Sequence, residues 1–177
     1  MLKFLIIGEN SIDKTSLIDS LLTNENMFKV ANIFITNSEK AKDKYHYLIS
    51  NEELNRCYKN NAILYVKTIL NESYGVTLDS FYENNVIFMN TEDFNNISNK
   101  IFLSNNELVI VWLDTKNHNP ERIKREIVES QYVMDKITSD GLKYLYFLDK
   151  DNLEIMDVIC EYLLHEEKRN ELLENYS

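Results

Sequence analysis

The stretch Met1–Leu22 constrains this chain more than any other. Leu2, Phe4, Leu5, Ile6 and Ile7 form a short apolar run that Gly8 ends, and beyond a polar segment Leu17, Ile18, Leu21 and Leu22 recur at helical spacing. The first run reads as a strand buried on both faces and the second as one face of a helix, so the unit is strand, polar loop, helix. Gly8 lets the chain turn sharply, and the amides after it converge at a helix N-terminus, where an anion is favoured. The residues Gly8-Glu9-Asn10-Ser11-Ile12-Asp13-Lys14-Thr15-Ser16 follow the pattern G-x-x-x-x-G-K-[ST], with Asp13 in place of the second glycine. In such a loop Lys14 adds a cation over the outer phosphates and Thr15 a hydroxyl for magnesium. Asp13 opposes that use, because its Cβ narrows the approach to phosphate and its carboxylate repels it, although aspartate tolerates left-handed dihedrals. The same residues also fit an ordinary strand-to-helix turn with Ser11 or Asp13 as N-cap.

With 177 residues, 44% of them hydrophobic, the chain is long enough for one folded unit with a proper core. Its net charge of −10 argues against a general nucleic-acid or anionic-membrane binder, since phosphate backbones and anionic lipids reward a basic surface. The longest continuous apolar run, Leu108–Leu113, falls far short of the roughly 18 residues that span a bilayer. The N-terminal segment lacks the features of a secretory signal, so a cytoplasmic location is expected. Cys57 and Cys160 lie far apart and read as small hydrophobes, not as a disulfide. His46, His118 and His165 show no metal-ligand spacing, and no structural metal is expected.

Along the chain, Phe28–Thr36 predicts a second parallel strand and Tyr45–Ile49 a short one. Between them the lysine-bearing stretch Asn37–Lys44 predicts a polar loop. Ser50 stands as an N-cap with Glu53 at the capping-box position, opening a helix with Leu54, Cys57 and Tyr58 on one face and closed by Asn60-Asn61. Ala62–Leu70 is extended, Asn71–Val76 predicts a turn, and Thr77 caps a helix over Leu78–Asn84. Val86–Met89 and Leu108–Leu113 read as buried strands, with a weak helix over Glu92–Ser98 between them. Pro120 fits the first turn of a helix capped by Asn119 that carries Arg122, Lys124 and Arg125 and ends before Asp140-Gly141. Tyr144–Leu148 is the last strand, and Asn152–Glu174 a long helix with a stripe of Ile155, Val158, Ile159, Tyr162 and Leu163. Strands alternating with helices predict a three-layer α/β fold with a parallel sheet and right-handed crossovers. Ligands in such sheets bind at the carboxyl ends of the strands, where Gly8 and Asp114 would both lie.

From Phe34 to Val76 the sequence has Ile35-Thr36-Asn37, then Lys40, Lys44-Tyr45-His46-Tyr47, Ser50-Asn51-Glu52-Glu53-Leu54 and Glu72-Ser73-Tyr74-Gly75-Val76. This order resembles the guanylate kinase family, whose members carry Thr-Thr-Arg, a second arginine, Asp-Tyr-His-Phe, Ser-x-Glu-Glu-Phe and Asn-Tyr-Tyr-Gly-Thr. Together with the opening loop, the basic helix and the closing strand and helix, the likeness runs over nearly the whole chain. It implies a P-loop nucleoside-monophosphate kinase fold. The core would comprise 1–31, 77–114 and 137–177, a small mixed monophosphate-binding subdomain 32–76, and a shortened lid 115–136.

The resemblance further implies ATP and Mg2+ as cofactors and transfer of the ATP γ-phosphoryl to a nucleoside or deoxynucleoside monophosphate. It assigns Gly8, Asn10, Ser11, Asp13, Lys14, Thr15 and Ser16 to ATP, with Thr15 on the metal. Thr36, Lys40, Tyr45, Tyr65, Tyr74 and Thr91 fall to the acceptor, and Lys14, Arg122 and Arg125 to the transferring phosphoryl group. The departures are specific. Asn37 and Lys40 replace two phosphate-binding arginines, and lysine lacks the bidentate fork. Gln131 replaces a lid arginine. Tyr65 stands where the family glutamate reads guanine, Val76 replaces a hydroxyl residue, and Met89 and Thr91 replace two acidic residues flanking Asn90. Losing those acceptors removes the basis for guanine specificity. On residue type alone Tyr65 fits packing as well as stacking on a base, and Arg122 and Arg125 fit a solvent-facing helix paired with Glu121, Glu126 and Glu129. The same departures suit an alternative, a catalytically inactive binding or nucleotide-sensing module whose acceptor groove holds a protein or peptide.

Overall fold

The computed structural model describes residues 2–8, 15–23, 27–36, 46–90, 93–94, 97, 108–114, 143–148 and 150–175. In chain order the elements are β1 (Lys3–Gly8), α1 (Thr15–Leu22), β2 (Ile33–Ile35), β3 (His46–Leu48), α2 (Asn51–Lys59), β4 (Ile63–Ile69), β5 (Glu72–Thr77), α3 (Leu78–Glu83), β6 (Val86–Met89), β7 (Leu108–Asp114), β8 (Lys143–Leu148) and α4 (Asn152–Asn175). Among the described residues no helix is long and apolar enough to cross a membrane.

The central sheet is parallel, in the order β6-β1-β7-β8. Every residue of β1 and β6 is buried, because alternate side chains serve two different layers. Phe4, Ile6, Val86, Phe88, Val109 and Val111 pack with Leu17 and Leu21 of α1 and with Ile155, Ile159 and Leu163 of α4. On the opposite face Leu5, Ile7, Ile87, Met89, Ile110 and Trp112 pack with Phe81, Phe94 and Ile97 and with Leu64, Tyr65 and Val76 from a second sheet. The stripe expected on α4 holds at Ile155, Ile159 and Leu163, whereas Val158 turns outward and is 39% exposed. Cys57 and Cys160 are free and partly buried.

Residues 33–77 build the second sheet, ordered β3-β2-β5-β4, in which β2 and β3 run parallel and the other pairs antiparallel. Its Phe34 and Ile63 pack against Ile49 and Leu54, with Val66 and Cys57 beside them, so α2 covers that face. Ser50 starts α2 as expected: its Oγ accepts from the Glu53 amide at 3.1 Å while Glu53 Oε2 accepts from the Ser50 amide at 2.9 Å. The Ser50 amide, and after it the Ser50 hydroxyl, which donates to Glu53 Oε2 at 2.9 Å, hold the Glu53 carboxyl below its ordinary range.

Two expectations need correction. Phe28–Thr36 is not one strand of the parallel sheet. Lys29–Ala31 lies along β6, with Ala31 N donating to Val86 O at 2.8 Å, and only Ile33–Ile35 form a strand, in the second sheet. One apolar run therefore serves two sheets in succession. Asn71–Val76 is not a turn: Leu70 and Asn71 turn the chain with φ of 50° and 67°, and Glu72–Thr77 is a full strand. Gly75 is there for space. A Cβ on it would sit 2.1 Å from the Tyr65 carbonyl oxygen and 2.9 Å from Phe34 Cζ.

Candidate functional site

The parallel register puts Gly8 level with Leu113, so Gly8 and Asp114 both end at the carboxyl edge of the sheet, as expected. On the other side of β1, Met89 pairs with Ile7 and delivers Asn90 to the same edge. Asn90 Oδ1 accepts from the Asp93 amide at 2.7 Å and its carbonyl from the Phe94 amide at 3.0 Å, which opens a helical turn there. Across the sheet, Asp114 Oδ2 accepts from the Tyr146 hydroxyl at 2.7 Å. Thr15 opens α1, and Ser16 Oγ accepts from Asn152 Nδ2 at the start of α4. That bond ties together the starts of the two helices on one face of the sheet. β1 thus ends in glycine at the sheet's carboxyl edge, and α1 opens at Thr15 on the face of the sheet that α4 also covers.

Of the candidate residues, Asn10, Ser11, Asp13, Lys14, Lys40, Tyr45, Thr91, Arg122 and Arg125 lie outside the described residues, as does the lid 115–136. Thr36 is half-buried at the end of β2. Its Oγ1 accepts from the Ser73 amide at 2.8 Å, so it locks β2 to β5 beside Tyr74.

Tyr65, Lys67, Tyr74 and Val76 share one face of the second sheet, opposite the face that α2 covers, because Tyr65 pairs with Val76 and Lys67 with Tyr74. That face turns toward the carboxyl end of β6: Tyr65 and Val76 belong to the same packed cluster as Met89 and Phe94. Tyr65 is only 6% exposed, and among the described residues its hydroxyl has no hydrogen-bond partner. Burial pushes its phenol well above the ordinary range, and the nearby Asp93 carboxylate and then Tyr74 add to the shift. The Tyr65 proton therefore stays on. Asp93 is itself 5% exposed. It is the residue that sequence reasoning missed; Asn90 three positions before it, a capping residue after a buried strand, was the available signal. A separate groove of about 330 Å3, lined in part by Cys57, Tyr58, Val66 and Tyr82, lies on the α2 side of the second sheet.

No protein-family model and no curated protein sequence matches the chain. Its structure is similar to the crystal structure of guanylate kinase from Anaplasma phagocytophilum, with a TM-score of 0.56 and 15% sequence identity over 93% of this chain and 85% of that one. The parallel sheet flanked by helices and the second, mixed sheet both fit that architecture. The chain has a guanylate kinase-like P-loop fold.

Proposed function

We propose that this chain is a nucleotide kinase that transfers the γ-phosphoryl group of ATP to a nucleoside or deoxynucleoside monophosphate. The observation that carries the reading is Gly8, which ends a central parallel strand at the sheet's carboxyl edge just ahead of α1, with Lys14 directly before that helix in the sequence. Mg2+ and ATP, when bound, supply the phosphoryl group and part of the charge neutralisation. Gly8, Asn10, Ser11, Asp13 and Ser16 form the loop, Lys14 offsets charge on the outer phosphates, and the Thr15 hydroxyl holds the metal. Thr36, Lys40, Tyr45, Tyr65, Tyr74 and Thr91 line the acceptor side, and Arg122 and Arg125 clamp the transferring group.

Phosphoryl transfer depends on positioning and charge neutralisation, and each lost cation costs a factor of about 10² in rate. With Asn37 and Gln131 in place of arginines, turnover is expected to be slow. The test is ADP release measured against each common nucleoside monophosphate, with Lys14→Ala as control. Turnover above that control supports the reading; identical rates overturn it. ATP binding without turnover would favour the inactive, nucleotide-sensing module.

A further inference from the structure

The groove on the α2 side of the second sheet lies apart from the face that carries Tyr65 and Tyr74. Three elements build it: Ile63 and Val66 of β4 give an apolar floor, Cys57 and Tyr58 come from the last turn of α2, and Leu78 and Tyr82, one turn apart, line it from α3. Its volume of about 330 Å3 is at the small end of what encloses a whole small-molecule ligand, and its tyrosines stand half exposed, Tyr58 at 48% and Tyr82 at 47%. Among the described residues neither hydroxyl has a hydrogen-bond partner. Asn61, left-handed with φ of 51°, adds an amide to the lining. Aromatic walls, an apolar floor and free donors suit an extended peptide: proline rings pack on tyrosines, and the carbonyls that a polyproline II segment leaves unbonded accept from hydroxyls and amides.

Charge narrows the occupant further. Asp79 and Glu83 each follow a lining residue of α3 and stand one turn apart, so their carboxylates run along the rim beside Leu78 and Tyr82. Both are exposed, and among the described residues neither forms an ion pair. Burial lifts the Tyr47 phenol above its ordinary range, and Cys57 and then Asp79 add to that rise against a bond with the Thr77 side chain, which sets the Asp79 carboxylate on the Cys57 side of the groove. The neighbouring cations, Arg56 and Lys59, belong to α2. The α3 rim is therefore acidic and complements a Lys or Arg.

We propose that this groove docks an extended, proline-containing peptide segment of another protein, with its prolines against Tyr58 and Tyr82 and a Lys or Arg on Asp79 and Glu83. The proposal is independent of the nucleotide reading, because none of these residues is assigned to ATP or to the acceptor.

Fluorescence anisotropy of the full chain with a labelled Pro-Pro-Leu-Pro-Pro-Arg-Lys peptide tests this, beside one control with Ala for every Pro and another with Glu for Arg and Lys. The basic proline peptide is expected to bind saturably and about tenfold or more tightly than either control. Tyr58→Ala is expected to weaken it about tenfold, and Asp79→Asn combined with Glu83→Gln to remove its advantage over the acidic control. On the unaltered chain, saturating peptide should slow alkylation of Cys57 by iodoacetamide severalfold and leave that of Cys160 unchanged, a readout that does not depend on any variant folding. A wild-type chain that does not bind the peptide, binds the alanine control equally well, or alkylates at Cys57 as fast with the peptide as without it would overturn the inference. So would a dimer in sedimentation that Tyr58→Ala dissociates, since a second copy would then fill the groove.

Discussion

The ammonium of Lys3, in β1, donates to the carbonyl of Asn84, just past α3, at 2.7 Å. It also donates to Phe81 O at 2.8 Å and Tyr82 O at 3.0 Å and stands 5.2 Å from the centre of the Phe81 ring. All three of its protons are used on the carbonyl end of α3, where a cation also meets the negative end of the helix dipole. The strand that presents Gly8 is thereby bolted to the helix that follows the second sheet.

Removing that ammonium should therefore be costly. Lys3→Met keeps most of the stem but strands three carbonyls, and urea unfolding is expected to show a loss of about 2 to 3 kcal/mol. A loss within 0.5 kcal/mol would mean that water replaces the ammonium at those carbonyls.

Gly75 gives a second prediction, on the second sheet. The absent Cβ leaves room for the Tyr65 carbonyl and the Phe34 ring, both of which an added methyl would strike. Gly75→Ala is expected to destabilise the chain by about 3 kcal/mol or more, since backbone on a paired strand has little freedom to withdraw. The same measurement by urea unfolding would contradict the packing if the variant were as stable as the wild type.

How legible this was in the sequence differs from element to element, and for physical reasons. Ser50 and Glu53 announced α2 because a capping box is a local arrangement completed within one turn. The apolar runs of β1, β6 and β7 announced a buried parallel sheet, because strands covered on both faces have no polar alternation to lose. Glu72–Thr77 was hidden, because Tyr74-Gly75 looks like a turn when the glycine in fact answers to Phe34 on the neighbouring strand. Lys3 was hidden for the same reason: its surroundings come from residues remote in sequence, and no periodicity records them. Gly8 at the end of β1 and Thr15 at the start of α1 were legible from the alternation of strand, polar segment and helix, whereas the burial of Tyr65 against Met89 and Phe94 exists only once sheet and core are packed together.

Tyr65 also predicts a response to alkali. Burial, then Asp93 and Tyr74, raise its phenol above the ordinary 10.0, so the folded state keeps a proton that the unfolded chain releases. The resulting stability is whole below pH 10 and declines as the pH rises further, by about 1.4 kcal/mol per pH unit for this group. The difference in unfolding free energy between Tyr65→Phe and wild type should be flat from pH 7 to 9.5 and widen in favour of the variant above pH 10. A difference that stays constant throughout would show that the phenol titrates freely in the folded protein.

The proposal that Gly8–Ser16 binds a polyphosphate is most directly tested by calorimetric titration of Mg·ATP into wild type, Lys14→Ala and Asp13→Gly. Saturable binding of one equivalent is expected in the wild type, weakened about tenfold or more in Lys14→Ala and tightened in Asp13→Gly, where the opposing charge and Cβ are both gone. A wild-type chain that takes up no Mg·ATP, with Asp13→Gly no better, would contradict the reading of Gly8–Ser16 as a nucleotide-binding loop and leave only the fold.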